Sequence, residues 1–434
     1  MNKQTANWDH CLEHAELSDI GLRRSNNQDA WAVAIASSQE KWERRGHLFL
    51  VADGMGAHAA GELASKLAAS IVPLSYDKLI DLPPQESLVQ AVQDANTQIH
   101  SRGQASEDFR GMGTTLSALA ILPQGALVAQ VGDSRIYRLR GHCLEQLSFD
   151  HSLVWELRAA GRFPLSEIPN FIPKNIITRS LGPHPEIQVD LEGPYAIEAG
   201  DTFLLCSDGL SGQVTDEEIG KVLACLAPEE AVRALVDLAN LNGGPDNITA
   251  IVVRITGPQV ARRSAHGSEA GRIEPRPVSP VVWSLVGLFG LGFLGLLAVD
   301  MWIAAGASLV GAIVTGMVGW RLRYRVDERA FGSGVELARR GRGPYARTTC
   351  KPDAPFVARL AEIVQQLRDA ATKEAWTINW EEVNAQGRSA EAAAASGNHA
   401  EAVRAYCRAL TFMMAELRNQ RARRPPDNGT TAAS

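Results

Sequence analysis

Along the first part of the chain, apolar and polar positions follow two different periods. Short apolar runs at 47–53 (HLFLVAD), 116–122 (LSALAIL), 126–133 (ALVAQVGD), 201–208 (DTFLLCSD) and 248–255 (ITAIVVRI) have the length and content of buried strands. Between them, residues 60–72, 86–102 and 228–241 place apolar side chains every three or four positions, the spacing of helices packed on one face. The pattern predicts one mixed α and β domain over residues 1–256. It breaks at 257–280, where Gly, Pro, Ser and Arg dominate; such a segment buries too little apolar surface to order itself and reads as a flexible linker.

Residues 281–320 are apolar throughout, with Asp300 as the only charge. As one helix they would extend about 60 Å at ~1.5 Å per residue, roughly twice a bilayer's hydrocarbon thickness. Two passes turning near Asp300 fit better, with a buried helical hairpin as the other reading. Arginines flank both ends, at 262, 263, 272 and 276 and at 321, 323, 325 and 329, which predicts that both flanks lie on the cytoplasmic side. Residues 321–420 turn charged and helix-friendly, with helical periodicity over 355–372 and 391–417. The stretch AAAASGNHAEAVRAYCRAL resembles one tetratricopeptide-like hairpin turning at Gly397 and Asn398, and a small helical bundle is the plainer alternative. This region is expected to fold separately and to bind a protein partner, and 421–434 is expected to be a disordered tail.

Composition narrows the function classes. A net charge of -6 over 434 residues gives no basic signature of nucleic-acid binding. The six cysteines are scattered and never spaced CxxC, which argues against a disulfide framework or a zinc site and fits a reducing compartment. The opening MNKQTANWDH has no apolar core, so no cleaved signal peptide is expected.

The chemistry lies where apolar runs meet aspartates. Asp53 follows HLFLVA, Asp133 follows ALVAQVG, Asp208 follows DTFLLCS and Asp246 precedes NITAIVV. If these strands are neighbours, four carboxylates converge where apolar surroundings cannot solvate them, at a cost of several kcal/mol unless a counter-ion is present. Carboxylates without cysteine or paired histidine suit hard cations such as Mg2+ or Mn2+, and Gly54 and Gly56 would let backbone carbonyls approach.

In order, the chain carries SDIGLRRSNNQDA (18–30), VADGMGAHAAGE (51–62), GMGTTLSA (111–118), VGDSRIYRLR (131–140), DHS (150–152), ITRSLG (177–182), CSDGL (206–210) and GPDNITAIVV (244–253). Over roughly 16–256 it resembles the bacterial type of the metal-dependent serine/threonine phosphatases, the protein phosphatase 2C family. The resemblance implies an α+β fold: a four-layer α-β-β-α sandwich of two mostly antiparallel sheets flanked by helices. Here it would be followed by the transmembrane hairpin and a small all-α domain.

The resemblance also implies hydrolysis of phosphoserine and phosphothreonine on proteins by a metal-activated water, with Mn2+ or Mg2+ as cofactor, two ions tightly held and a third more weakly. Asp53 would bridge two ions, with the Gly54 carbonyl on the second; Asp208 and Asp246 would hold the first; Asp133, with Asp208, would recruit the third; Arg24 would grip the substrate phosphate. Three positions depart from the commonest patterns. Gln28 stands where many relatives have an acid, leaving Asp29 to serve the second ion; Ala57 replaces a glycine; Met55 replaces a histidine whose role His58 cannot inherit by position. The enzyme would face the cytoplasm, tethered to membrane lipid through 281–320 and acting on proteins phosphorylated by a serine/threonine kinase. A catalytically silent scaffold that binds phosphoproteins is the competing reading.

Overall fold

A computed structural model describes residues 10–56, 59–159, 173, 176–257, 298 and 343–423. One sheet orders its strands β1 (Leu12–Asp19), β11 (Ile248–Ile255), β10 (Thr202–Cys206), β7 (Arg135–Arg140), β8 (Cys143–Gln146) and β12 (Ala346–Thr349). The other runs β2 (Asp29–Ala34), β3 (His47–Met55), β5 (Leu116–Leu122), β6 (Gly125–Val131) and β9 (Asp190–Tyr195), with β4 (Gly113–Thr114) paired to the end of β3. Every pairing between these strands is antiparallel. The helices of residues 10–257 are α1 (Gln39–Arg45), α2 (Ala60–Lys78), α3 (Pro84–Ala105), α4 (Leu153–Ala159), α5 (Asp208–Ser211), α6 (Asp216–Cys225) and α7 (Pro228–Leu241).

The period of two along each strand explains the layers. In β3, Phe49 and Val51 point inward and meet Phe203, Leu205, Ile251 and Val253 of the facing sheet. Leu48, Leu50 and Ala52 point outward against Ala64, Ala68 and Val72 of α2 and Leu88, Val92 and Ile99 of α3. The outer face of the first sheet, including Leu204, Cys206, Ala250 and Val252, is covered by α6 and α7. The expected four-layer α-β-β-α sandwich is therefore present. Both faces of its central strands are buried, which is why those strands read as continuous apolar runs rather than alternating ones.

The C-terminal region differs from the expectation of a separately folded unit. Residues 343–423 cluster with the described residues of 10–257 as one compact unit. Strand β12 pairs with β8 in the register Thr349↔Cys143 and so lengthens the first sheet. Beyond it lie helices α8 (Ala354–Lys373), α9 (Trp380–Ala395) and α10 (His399–Arg423); Phe356, Leu360, Val403 and Leu410 join Val222, Leu226 and Leu235 in one apolar cluster. Ion pairs close its rim: Lys221 with Asp353 at 2.9 Å, Arg408 with Glu230 at 2.8 Å, and Arg359 with Glu218.

The transmembrane hairpin has to be corrected. Among the described residues no helix is long and apolar enough to cross a membrane. The long helices α2, α3, α8 and α10 each carry charged residues, as helices do that bury one face and leave the other to water. Apart from Ala298, the apolar stretch 281–320 lies outside the described residues, as do the linker after residue 257 and the tail after 423. Among the described residues the fold is the sandwich and its helical addition, and no helix there supports the membrane hairpin, the lipid contact or the multi-pass membrane location.

Candidate functional site

At one end of the space between the sheets the inward-facing side chains change from apolar to polar. On β3, Phe49 and Val51 give way to Asp53, and Asp29 on β2 lies directly opposite it in the register. From the facing sheet, β10 leads into Ser207 and Asp208, the latter at the first position of α5. Asp246 lies two residues before β11, and Asp133 sits between β6 and β7. Two sheets thus deliver five aspartates, separated widely in sequence, to one end of the sandwich.

Side-chain hydrogen bonds fix these carriers. The Ser207 hydroxyl donates to Asp29 Oδ2 at 2.7 Å and accepts from the Thr249 N–H at 2.9 Å, tying β2 to the first sheet. Asn247 donates from Nδ2 to the carbonyls of Ile20 and Asn26 and accepts from the Gln28 N–H at 2.8 Å, so one amide pins the loop before β2 beside Asp246. The Asp53 N–H donates to Thr115 Oγ1 at 2.9 Å, while the Thr115 N–H and the Thr114 hydroxyl donate to the Asp53 carbonyl. For the Asp133 turn, His151 Nδ1 accepts from the Gly132 N–H at 2.9 Å. Its Nε2 therefore carries the proton and donates to Asp190 at 3.0 Å. Behind that turn Arg135 pairs with the buried Asp150 at 2.8 Å.

Gly54 shows why a glycine follows the aspartate. A Cβ there would stand 2.1 Å from the Gly61 carbonyl oxygen and 2.5 Å from that of Gln28, so no side chain fits between β3 and the start of α2. Gln28 uses its backbone for the same junction, accepting from the Gly54 N–H at 3.1 Å and from the Ser65 hydroxyl at 2.6 Å. Ala57 and His58 lie outside the described residues.

The electrostatics are those of acids short of positive charge. Burial, with Asp208 and Asp246 adding to it, pushes Asp29 up to about 7 against the lowering hydrogen bonds of Ser207 and Thr249. Burial and the neighbouring Asp208 and Asp150 push Asp133 up to about 7. Asp53 is raised well above the carboxylate range by burial and by the other four acids, and Asp208 is raised by burial and Asp246. Asp53 and Asp208 lie close enough to influence each other directly. Asp29 Oδ1 and Asp133 Oδ1 are buried with no hydrogen-bond partner. Among the described residues, no three of these groups are drawn together as a finished ligand set. The donors nevertheless suit hard divalent cations: they are all carboxylate oxygens, two of them are unsatisfied, and the charge they would carry has to be balanced.

Arg24 stands at the rim. Its Nη2 donates to Asp246 Oδ2 at 2.8 Å, and 49% of its side chain is exposed. It therefore lies both against the acidic cluster and open to an incoming anion. Arg24, Asp29, Asp53, Gly54, Asp133, Asp208 and Asp246 all lie at this end of the sandwich, although the acids are not drawn into a finished ligand set. Ser207, Asn247, His151 and Arg135 emerge only from the fold, although the motifs CSDGL, GPDNITAIVV, DHS and VGDSRIYRLR contain them.

Residues 23–239 match the family model described as protein phosphatase 2C. Protein phosphatase PhpP of Streptococcus pneumoniae is 40% identical over 247 residues, which is 56% of this chain and 97% of the relative. The crystal structure of the Mycobacterium tuberculosis serine/threonine phosphatase PstP/Ppp is 36% identical, covering 57% of this chain and 99% of that one, with a TM-score of 0.50. A structure of the PstP catalytic domain in complex with 2 manganese ions is also 36% identical over 57% of this chain, with a TM-score of 0.49. The acidic end of the sandwich thus lies in a domain with a family: the chain belongs to the protein phosphatase 2C family of metal-dependent serine/threonine phosphatases.

Proposed function

We propose that the chain hydrolyses phosphoserine and phosphothreonine on proteins at the cluster of Asp29, Asp53, Asp133, Asp208 and Asp246, with Arg24 as the phosphate-binding cation. The observation that carries this reading is the union of five clustered acids, Asp29 buried and the other four partly so, with one half-exposed arginine on their rim. Mn2+ or Mg2+ bound there would supply Lewis-acid activation of a water and neutralise the phosphate charge. Asp53, Asp208 and Asp246, with the Gly54 carbonyl, are proposed to hold two ions tightly; Asp133 and Asp208 a third more weakly; and Asp29 to serve the second ion in place of an acid at Gln28.

The chain's own residues do the rest. Arg24 exchanges Asp246 for the phosphate oxygens, which its planar guanidinium can meet two at a time. Ser207 and Asn247 hold Asp29 and Asp246 in place, so little reorganisation is needed when substrate binds. Phosphorylated proteins are the proposed substrates, opposing a serine/threonine kinase, and the C-terminal helices are proposed to meet a protein partner. Hydrolysis of a chromogenic phosphate monoester and of a phosphothreonine peptide should appear on adding Mn2+ and vanish with a chelator. Phosphopeptide binding without turnover would favour a silent scaffold instead.

A further inference from the structure

The family match ends at residue 239, yet residues 343–423 pack on the same unit and reach the loop that carries Arg24. Two routes connect them. The first is polar. Arg418 on α10 donates from Nη1 to Oδ1 of Asp237 on α7, an acid whose side chain is 1% exposed. One turn further along α7, Asn240 donates from Nδ2 to Asp19 Oδ1 at 3.2 Å, and the same oxygen accepts from the Gly21 N–H at 2.8 Å. The second route is apolar. A cavity of about 340 Å³ separates the loop from the helices, with Leu22 and Leu241 on one side and Leu367, Trp376, Met414 and Leu417 on the other.

The loop has little freedom on its remaining side. The Leu22 N–H donates to the Gly244 carbonyl at 2.8 Å. Gly21, at φ +79°, approaches so closely that a Cβ would stand 2.1 Å from the Asp246 carbonyl oxygen. Residues 21 and 22 thus lie directly against the backbone of Gly244 and Asp246, and Asp246 is paired with Arg24.

We propose that the C-terminal helices are a positioning element for phosphate binding: Arg418, acting through Asp237 and Asn240, and Leu417 and Met414, acting across the cavity on Leu22, set the pose of Arg24. Arg418 and Leu22 are positioning residues and touch no substrate. The inference rests on Arg24 being the phosphate-binding residue, and the test separates the two ideas.

In the full chain with saturating Mn2+, the inhibition constant of inorganic phosphate and the KM and kcat for a small phosphate monoester are measured for wild type, Arg24→Ala, Arg418→Ala, Arg418→Lys and Leu22→Ala. Arg418→Ala is expected to raise KM and the phosphate constant together by about fivefold while kcat stays within about twofold, the signature of lost binding rather than lost chemistry. Arg418→Lys keeps the charge beside Asp237 and should recover most of the loss. Leu22→Ala changes a half-exposed residue, leaves the C-terminal helices intact and should move the same constants if Arg418→Ala does not fold. Added to Arg24→Ala, either change should have no further effect, because the coupling runs through that arginine. Unchanged phosphate constants in both positioning variants, or equal effects in the Arg24→Ala background, would overturn the inference. An Arg24→Ala variant with wild-type phosphate affinity would instead overturn the reading of Arg24.

Discussion

Among single residues, Asp208 is the position on which the metal reading depends most. It is buried against Asp53 and Asp246 and opens α5 from the end of β10. Asp208→Asn keeps the shape and removes the charge, so turnover with Mn2+ is expected to fall by about a thousandfold or more, the scale of losing a group that positions catalytic charge. Asp133→Asn should lower turnover yet leave two tight Mn2+ ions in calorimetry; loss of both would reverse the assignment. Asp237 carries a different prediction. Burial, only partly offset by Arg418, pushes it up to about 6 from an ordinary 3.8, so the folded chain binds this proton more tightly than the unfolded one. Its stabilising contribution is complete below about pH 4 and disappears as pH rises through about 6, amounting to ~3 kcal/mol at most. Relative to Asp237→Asn, wild type should lose stability over that window, read as diverging urea midpoints; parallel midpoints would contradict it. The four strand-end acids were legible in the sequence because each adjoins an apolar run. Ser207 was not, because its partner Asp29 lies 178 positions away and only the pairing of the two sheets brings them together.

The strands that sequence periodicity found, β3, β5, β6, β10 and β11, are the central ones, buried on both faces. It passed over β1 and β2, which are sheet edges whose residues are mostly half-exposed and mixed in polarity. It also passed over β12, whose ARTT offers no apolar run; this strand exists because β8 supplies a partner edge. The start of α8, just beyond β12, depends on one capping residue. The Asp353 side chain accepts from the Phe356 N–H at 3.1 Å, capping α8, and takes both of its oxygens to Lys221 at 2.9 Å. Asp353→Ala should destabilise the full chain by about 1–2 kcal/mol, the sum of a lost cap and a buried lysine left with one partner fewer. Urea denaturation measures this, and a change below about 0.5 kcal/mol, typical of an ordinary surface site, would mean that α8 is held by its apolar face alone.

Over the described fold, sequence periodicity marked a mixed α and β domain and the C-terminal helices, and the family resemblance implied the sandwich, but neither gave the relation between the two regions. An apolar stripe such as Phe356, Leu360, Val364 and Leu367 shows that a helix has a partner and does not say which surface supplies it. Here α8 packs on α10, which in turn covers the outside of α6 and α7, so the apolar cluster runs without interruption from Leu204 and Val252 through Val222 and Leu235 to Leu410 and Met413. A shared core has two consequences. The full chain should unfold its sandwich and C-terminal helices in one transition, since neither can separate without exposing the other's apolar face. A chain ended at residue 262 should expose that face, bind a hydrophobic dye, associate, and melt lower by roughly 5 °C or more, as a loss of a few kcal/mol implies for a domain of this size. Thermal melting and dye binding of the two forms decide it. An unchanged melting temperature without dye binding would show that the helices only rest on the sandwich, and their hold on the Arg24 loop would then need another source of rigidity.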